Sequence, residues 1–271
     1  MSIGSEASIS ALSDALIQNS GSDRVHDKEE TLLWIVDPID GTSNFQSGTC
    51  RRKPNLALFL FALSQFPCNK TLAPNCIIKS GLPLFCVSIG VVSSKGEVVV
   101  GVIYNPILDE MTYAIRGQGC YVNGKKLGGK VGSKNTVIRL SEGLINVGFP
   151  AAKESTLMVS SRAVQALATK VKGLRMIASA SQVMAWVAQK KLNAYVSWDL
   201  NSWDVCAGML IVEEAGGYIS DLQGNKIITV ESRDLIVSCE GAMREGGAND
   251  ECLHMELLKV LTKNDCINYD K

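Results

Sequence analysis

The stretch of sequence that decides the fold is "WIVDPIDGTSNF", Trp34 to Phe45. It opens with branched and aromatic residues, which are typical of a buried strand, and Pro38 closes that run. Asp37 and Asp40 are predicted to leave the strand end on the same side, with the Ile39 carbonyl between them. Two carboxylates and a carbonyl supply the oxygen ligands that hard divalent cations such as Mg²⁺ prefer. The alternative is a strand-end turn in which an aspartate caps the next helix.

The two residues that follow Asp40 are suited to bind a phosphate group. Gly41 permits a tight turn, and Thr42 sits where a helix can begin. The threonine hydroxyl and the unpaired backbone N–H groups of a first helical turn are donors that can face a phosphate.

A second acidic motif, "WDVCAGMLIVEEAGG", covers Trp203 to Gly217. Asp204 stands at a good N-cap position for a strongly apolar helix, which Gly216 and Gly217 terminate. One interpretation is structural: an aspartate cap with Trp203 packed beneath it. The other is that Asp204 adds a carboxylate to the same metals from the second half of the chain.

The rest of the chain predicts a mixture of strands and helices. After residue 81, an antiparallel meander is predicted for "LFCVSIGVV", "EVVVGVIYN" and "EMTYAIRG", followed by a hairpin turned at Asn123-Gly124. The second half alternates helices such as "STLMVSSRAVQALATKV" and "SASQVMAWVAQKK" with the strands "LNAYVSW", "GGYISD" and "LIVSCEG". This pattern predicts an α/β (α+β) chain with an N-terminal part, 1–140, and a C-terminal part, 141–271.

Composition argues against several classes of partner. The 271 residues are 46% hydrophobic and carry 27 basic and 27 acidic side chains, so there is no electrostatic case for a nucleic acid polymer or a membrane surface. Nine cysteines without a zinc spacing predict free thiols in a reducing compartment. The chain shows no secretory leader and no apolar run of membrane-spanning length, which predicts a soluble, cytoplasmic protein.

Together, "DPIDGTSNF" and "WDVCAGMLIVEEAGG" resemble the signatures of the inositol monophosphatase family, which are magnesium-dependent, lithium-sensitive phosphatases. The resemblance covers most of residues 32–240. It implies a layered αβαβα sandwich of the inositol monophosphatase and fructose-1,6-bisphosphatase type, and it suggests a homodimer. It also implies Mg²⁺ as the cofactor and a metal-activated water that attacks phosphorus in line.

The resemblance implies roles for individual residues. The implied metal ligands are Asp37, the Ile39 carbonyl, Asp40 and Asp204, and the implied catalytic residues are Asp37, Asp40 and Thr42, with the threonine orienting the attacking water. The implied substrate-binding residues are Ile39, Asp40, Gly41, Thr42, Asp204 and, from "RMIASAS", Ala178, Ser179 and Ala180.

Three features depart from the family pattern. The family carries a Gly-Glu-Glu motif whose first glutamate binds metal, and the nearest match here is "IGSEAS". Ser5 stands at the position of that glutamate. Glu6 remains, either as a shifted metal ligand or as a solvated residue near the terminus. Family members carry a pair of helices before this point, so either the chain lacks them or its start lies upstream. Residues 49–81 form an insert whose removal restores the family spacing, and it is either intron-derived or recently inserted, or a genuine surface loop.

The first candidate function is a Mg²⁺-dependent phosphomonoesterase acting on myo-inositol monophosphate. Ser197 stands seven residues before Asp204, where inositol-specific members carry a glutamate that binds a substrate hydroxyl. Other small phosphates are therefore alternatives, among them a 3′(2′),5′-bisphosphate nucleotide, fructose 1,6-bisphosphate and histidinol phosphate. A different class of function is a catalytically impaired, phosphatase-derived binding protein.

Overall fold

Residues 32–41, 84–127, 138–149, 153–227, 229–239, 241 and 252–269 are described by a computed structural model of the chain. The predictions made for Glu6, Thr42 and the insert at 49–81 lie outside these residues. The described part contains eleven strands, four α-helices and a 3-10 turn at Leu140–Glu142.

The first sheet contains six strands in sequence order, and every neighbouring pair is antiparallel. Its strands are β1 (Leu33–Asp40), β2 (Cys86–Val92), β3 (Val98–Asn105), β4 (Glu110–Ile115), β5 (Gly119–Val122) and β6 (Lys125–Lys126). The predicted meander and hairpin are confirmed. Asn123 and Gly124 have φ values of 48° and 78°, as a type I′ turn requires at its two central residues.

The second sheet contains five strands in the order β10-β11-β9-β7-β8. They are β7 (Leu144–Val147), β8 (Gly173–Arg175), β9 (Ala194–Ser197), β10 (Tyr218–Ser220) and β11 (Leu235–Ser238). Strands β8, β7 and β9 run parallel, so their carboxyl ends share one edge, whereas β11 is antiparallel to both of its neighbours. The sequence predicted β9, β10 and β11 but missed the short strands β7 and β8.

Four helices separate and cover the sheets. They are α1 (Glu154–Leu167), α2 (Ala180–Ala188), α3 (Ser202–Glu214) and α4 (Leu253–Lys263). Helices α2 and α3 lie between the two sheets, and α1 and α4 pack on the other face of the second sheet. The described residues thus form four layers of the predicted αβαβα sandwich. The fifth layer, the helical pair that the resemblance places before Gly4, concerns no residue that the structure describes.

Two paired glycines let α3 pack closely on the first sheet. Gly90 on β2 lies opposite Gly101 on β3. A Cβ atom at Gly90 would lie 2.1 Å from the Cys206 sulfur, and one at Gly101 would lie 2.5 Å from the Ala207 carbonyl oxygen. A side chain at either position would push the helix away, so the glycines set how closely the second turn of α3 approaches the sheet. Asp204 lies in the preceding turn.

One hydrophobic core connects both sheets and all four helices. Cys86, Cys120, Cys206 and Cys266 are buried free thiols, in agreement with the prediction of reduced cysteines. Within the part of the chain that the structure describes, no helix combines the length and the apolar character needed to span a bilayer.

Candidate metal centre

Three carboxylates from distant parts of the chain meet at one spot. Asp37 and Asp40 lie at the end of β1, and Asp204 lies in the first turn of α3. One carboxylate oxygen from each residue can be chosen so that all three atoms lie within 4.8 Å of one another. Oxygens at this separation can share a cation, since each would lie about 2.0 to 2.6 Å from the ion. The convergence predicted from the two motifs is confirmed.

A β-bulge puts the two β1 aspartates on the same face of the sheet. Residues three apart on a regular strand point to opposite faces. Here Asp37 pairs with Ser88 and Asp40 pairs with Cys86, so three residue steps on β1 match two on β2. The extra residue on β1 returns Asp40 to the face of Asp37. The spacing of the two aspartates therefore depends on an irregularity of strand pairing.

The Asp40 carboxylate is buried and held by its neighbours. Its Oδ2 atom accepts hydrogen bonds from the Ser179 hydroxyl at 2.7 Å and from the Ser181 backbone N–H at 2.8 Å. The Cys86 thiol donates to the same oxygen at 3.5 Å. Asp40 is only 5% exposed. Because three donors converge on Oδ2, the Oδ1 atom is the one suited to bind a cation.

Local turns orient the other two carboxylates. Asp204 Oδ2 accepts hydrogen bonds from the Asn201 backbone N–H at 2.7 Å and from its Nδ2 at 3.3 Å. Asp37 Oδ1 accepts one from the Ile39 backbone N–H at 3.0 Å. The prediction that Asp204 caps the helix was wrong: Asn201 is the N-cap, and Asp204 at N3 is the other half of a capping box. Trp203 is exposed rather than packed beneath the aspartate.

The three carboxylates repel one another when no cation is bound. Burial, together with the charges of Asp40 and Asp204, raises the pKa of Asp37 to about 7. Burial also raises the pKa of Asp40 and of Asp204. Among the described residues, no lysine or arginine forms an ion pair with any of the three. A compact set of hard oxygen donors with uncompensated charge fits a divalent cation such as Mg²⁺.

The segment 178–180, which was predicted to contact the substrate, lies against the end of β1. Gly41 has a φ of +82°, and a Cβ there would lie 2.6 Å from the Leu84 carbonyl oxygen and 2.9 Å from the Ser179 Cβ. Ala178 is exposed, whereas Ser179 and Ala180 are buried. Ser179 directs its hydroxyl to Asp40, so the structure gives it a positioning contact within the site.

Cys86, Ser181 and Asn201 belong to the site but were not identified from the sequence. Cys86 and Ser181 reach Asp40 through strand pairing and helix packing, which a single sequence does not display. Asn201 did carry a signal, because "NSWD" has the spacing of a capping box.

The family model described as the inositol monophosphatase family matches residues 3–259. The chain belongs to the inositol monophosphatase family. This confirms the family inferred from the two motifs, and the match includes all three clustered aspartates.

Two sequence relatives and one solved structure support the same assignment. Inositol-1-monophosphatase of Mesorhizobium japonicum is 31% identical over 205 residues, which cover 74% of this chain and 61% of the relative. A Thermotoga maritima protein named fructose-1,6-bisphosphatase/inositol-1-monophosphatase is 29% identical over 231 residues, covering 85% of this chain and 68% of the relative. The native crystal structure of extragenic suppressor protein suhB from Bartonella henselae matches with a TM-score of 0.61 at 27% identity, covering 89% of this chain and 73% of that chain.

The match spans only part of the length of the relatives. It spans 61% of the M. japonicum protein, and it spans 66% and 56% of two other relatives, from Dictyostelium discoideum and Xylella fastidiosa. The activity, substrate and partners of the whole protein are therefore matters for proposal.

Proposed function

We propose that this member of the inositol monophosphatase family is a Mg²⁺-dependent phosphomonoesterase that hydrolyses a small phosphorylated metabolite. The first candidate substrate is myo-inositol monophosphate, after the name of the M. japonicum relative. The observation that carries the proposal is the convergence of Asp37, Asp40 and Asp204 within 4.8 Å.

The residues of the site suit a divalent cation beside a phosphate. When bound, Mg²⁺ would supply an activated water for in-line attack and would spread the charge of the phosphoryl group. Asp37, Asp40 and Asp204 would hold the cations, and the hydrogen bonds to Oδ2 of Asp40 and Asp204 leave their other oxygens for this purpose. Gly41 turns the chain at a φ of +82°, and we assign the N–H groups of Gly41 and Thr42 to the phosphate and the Thr42 hydroxyl to the attacking water.

Ser197 offers little hydrogen bonding to a polyol substrate. This residue is 2% exposed, and a Cβ at Gly148 would lie 2.1 Å from its Oγ, so Gly148 covers the hydroxyl. A buried serine cannot replace an accessible carboxylate as a partner for a substrate hydroxyl. Ser197 therefore gives no support to inositol over other phosphate esters.

A specific observation favours a second candidate, a phosphate ester of the nucleotide type. Phe149, Met176 and Trp203 are exposed large apolar side chains. Phe149 and Met176 follow the parallel strands β7 and β8, and Trp203 lies at the start of α3, the helix that follows β9, so all three are on the side of the sheet where the carboxyl ends meet. Ligands of α/β sheets bind outside this edge. A heterocyclic base gains about 1 to 3 kcal/mol by stacking on an aromatic side chain, whereas a polyol has no flat face to stack.

The main proposal is tested by phosphate release from inositol 1-phosphate with and without Mg²⁺, using the full-length chain. We expect release that requires Mg²⁺ and is lost in Asp37→Asn and Asp204→Asn. Asp221→Asn is the control, since the carboxylate of Asp221 bonds within its own turn after β10. Equal turnover by the wild type and both site variants would refute the proposal. Mg²⁺ binding without hydrolysis of any phosphate ester would favour the phosphatase-derived binding protein.

The two substrate classes are separated by a panel of inositol 1-phosphate, fructose 1,6-bisphosphate, histidinol phosphate and adenosine 3′,5′-bisphosphate. If a base stacks at the apolar edge, Trp203→Ala should lower kcat/KM for the nucleotide about 5- to 150-fold and leave the polyol phosphates unchanged. Met158→Ala is the control, because Met158 is an exposed apolar side chain on α1. A preference for inositol 1-phosphate that Trp203→Ala does not alter would reject the second candidate.

A further inference from the structure

We infer that Asp199 is a positioning residue for Asp204, acting through the turn at residues 198–201. The inference rests on the proposed function, because the role of the turn is to prepare Asp204 to bind a cation. Asp199 itself is not one of the three carboxylates that lie within 4.8 Å of one another. Its effect is to place a backbone N–H group that orients one of them.

Among the described residues, Asn201 is the only one that hydrogen-bonds the Asp204 carboxylate. Both bonds go to Oδ2, at 2.7 Å from the backbone N–H and at 3.3 Å from Nδ2. The shorter bond comes from the backbone, so it depends on the path of the chain before Asn201 and not on the side chain. Asp40, in contrast, is held by donors from two other segments. The orientation of Asp204 therefore depends on one turn.

That turn contains a residue in the left-handed conformation. Asp199 has a φ of +53°, which is disfavoured for a residue with a Cβ, although aspartate tolerates it better than most. The Asp199 N–H donates to Asp234 Oδ1 at 3.0 Å, and the Leu200 N–H donates to the Arg233 carbonyl oxygen at 2.8 Å. The turn is thus fastened to the residues that precede β11.

Two cations hold the Asp199 side chain in this conformation. Lys153 Nζ lies 3.0 Å from Oδ2, and the Arg233 guanidinium contacts Oδ1. The Asp199 side chain is 15% exposed, whereas those of Lys153 and Arg233 are 47% and 51% exposed, so both ion pairs lie at the surface and are screened by water and salt. Lys153 precedes α1 and Arg233 precedes β11, so segments from three parts of the chain converge on Asp199.

A purely structural role for Asp199 predicts a different result from a positioning role. If the rest of the fold holds the turn, replacing Asp199 lowers stability and leaves the affinity for Mg²⁺ unchanged. If Asp199 prepares the site, its loss lets the turn relax in the metal-free protein, and cation binding must then restore it. The affinity for Mg²⁺ falls in that case, whereas the rate at saturating Mg²⁺ is retained.

The test compares Asp199→Ala with Asp199→Gly by isothermal titration calorimetry of Mg²⁺ into the full-length chain. Both variants lose the carboxylate and both ion pairs, but glycine adopts the left-handed conformation without a steric penalty. We expect the Mg²⁺ dissociation constant of Asp199→Ala to rise by up to about 30-fold, the upper limit set by the left-handed penalty, because alanine lacks the ion pairs that hold aspartate in this conformation. The dissociation constant of Asp199→Gly should stay within about threefold of the wild-type value, because its backbone penalty is absent.

Asp265→Ala is the matched control. Asp265 has a left-handed φ of +51° and an ion pair with Arg162 at 3.0 Å, but it follows α4. This variant should lose stability and bind Mg²⁺ as the wild type does. If Asp199→Ala does not fold, Asp199→Ser takes its place, since serine also carries a Cβ.

The outcomes separate the inference from the function on which it rests. A wild type without saturable Mg²⁺ binding would overturn the proposed function. A wild type that binds Mg²⁺ together with an Asp199→Ala variant of equal affinity would overturn the inference alone. Equal losses of affinity in Asp199→Ala and Asp199→Gly would also overturn it, because they would assign the effect to charge and not to the turn.

Discussion

Removing the Asp37 carboxylate should stabilise the metal-free protein. Burial, and then the neighbouring charge of Asp40, raises the pKa of Asp37 from 3.8 to about 7. A carboxyl group whose pKa is higher in the folded than in the unfolded state destabilises the fold when it is ionised. Since each tenfold change in proton affinity is about 1.4 kcal/mol, this difference corresponds to about 4 kcal/mol. Asp37→Asn should gain a large part of that free energy at pH values above about 7.

The pH dependence of this gain has a definite sign. Below about pH 4, Asp37 is protonated in both the folded and the unfolded chain and carries no penalty. Between about pH 4 and 7, the folded carboxyl group keeps a proton that the unfolded chain releases, so its contribution to stability falls as the pH rises. The advantage of Asp37→Asn should therefore be small near pH 4 and largest above pH 7, the window set by this pKa. Comparing variant and wild type at each pH cancels the titration of groups that do not interact with Asp37, whereas Asp40 and Asp204 are coupled to it.

Urea unfolding in the presence of EDTA measures this prediction. Asp265→Asn is the control, since its exposed ion pair with Arg162 should contribute less than about 1 kcal/mol at any pH. Adding Mg²⁺ above pH 7 should reverse the order, because bound cations stabilise the wild type and the variant has lost a ligand. An Asp37→Asn protein that is no more stable than the wild type under metal-free alkaline conditions would refute the electrostatic account of the site.

Three further predictions concern the support of the site and the stability of the fold. Ser179→Ala removes a 2.7 Å hydrogen bond to a buried metal-site carboxylate and should weaken Mg²⁺ binding, measured by calorimetry, about 10- to 100-fold. Gly41→Ala puts a Cβ 2.6 Å from a backbone oxygen at a φ of +82°, and should lower the free energy of unfolding by about 3 kcal/mol or more. Burial lowers the pKa of His254 to about 4, so the unfolded chain takes up a proton that the folded histidine does not. The contribution of His254 to the free energy of unfolding should fall as the pH falls from 6.5 to about 4, opposite in sign to that of Asp37, and His254→Asn should lack this contribution when variant and wild type are compared by urea titration at each pH.

Matched variants decide each of these three predictions. Ser160→Ala removes a buried hydroxyl that donates to a helix carbonyl at 2.8 Å, and it should leave Mg²⁺ binding unchanged; equal weakening by both serine variants would contradict the role of Ser179. Gly96 has a φ of +81°, and a Cβ there would meet no atom within 4 Å, so Gly96→Ala should cost only about 1 kcal/mol. Equal costs at the two glycines would argue against a clash at Gly41. A difference in stability between His254→Asn and the wild type that does not change from pH 6.5 to about pH 4 would contradict the role of His254.

Local patterns in the sequence identified most elements of the fold. Strands β1 to β5 arise from short runs of branched and aromatic residues, with turns between β2, β3, β4 and β5, and α3 arises from an apolar run that ends at Gly216 and Gly217. Strands β7 and β8 were missed because they contain four and three residues, and each pairs in parallel with a partner that no short turn connects to it. Parallel pairing leaves no local signal, since the crossover separates the paired strands in sequence.

The candidate site shows the same division between local and distant information. The two motifs identified the carboxylates, because acidic residues that follow a buried strand or begin an apolar helix can be recognised from a few neighbours. The residues that hydrogen-bond these carboxylates could not be recognised in this way. Cys86 and Ser181 lie far from Asp40 in sequence, and they reach it only after β2 has paired and α2 has packed.

The sequence by itself determined which chemistry the site can perform, since the oxygen donors and the helix start are encoded in two short motifs. Only the tertiary structure decided that these donors act together. The bulge of β1 against β2 turns Asp37 and Asp40 to one face, and the close packing of α3 on Gly90 and Gly101 places Asp204 beside them. Both depend on contacts between segments that are distant in sequence, and the free energy of those contacts is set by pairing and packing and not by any local pattern.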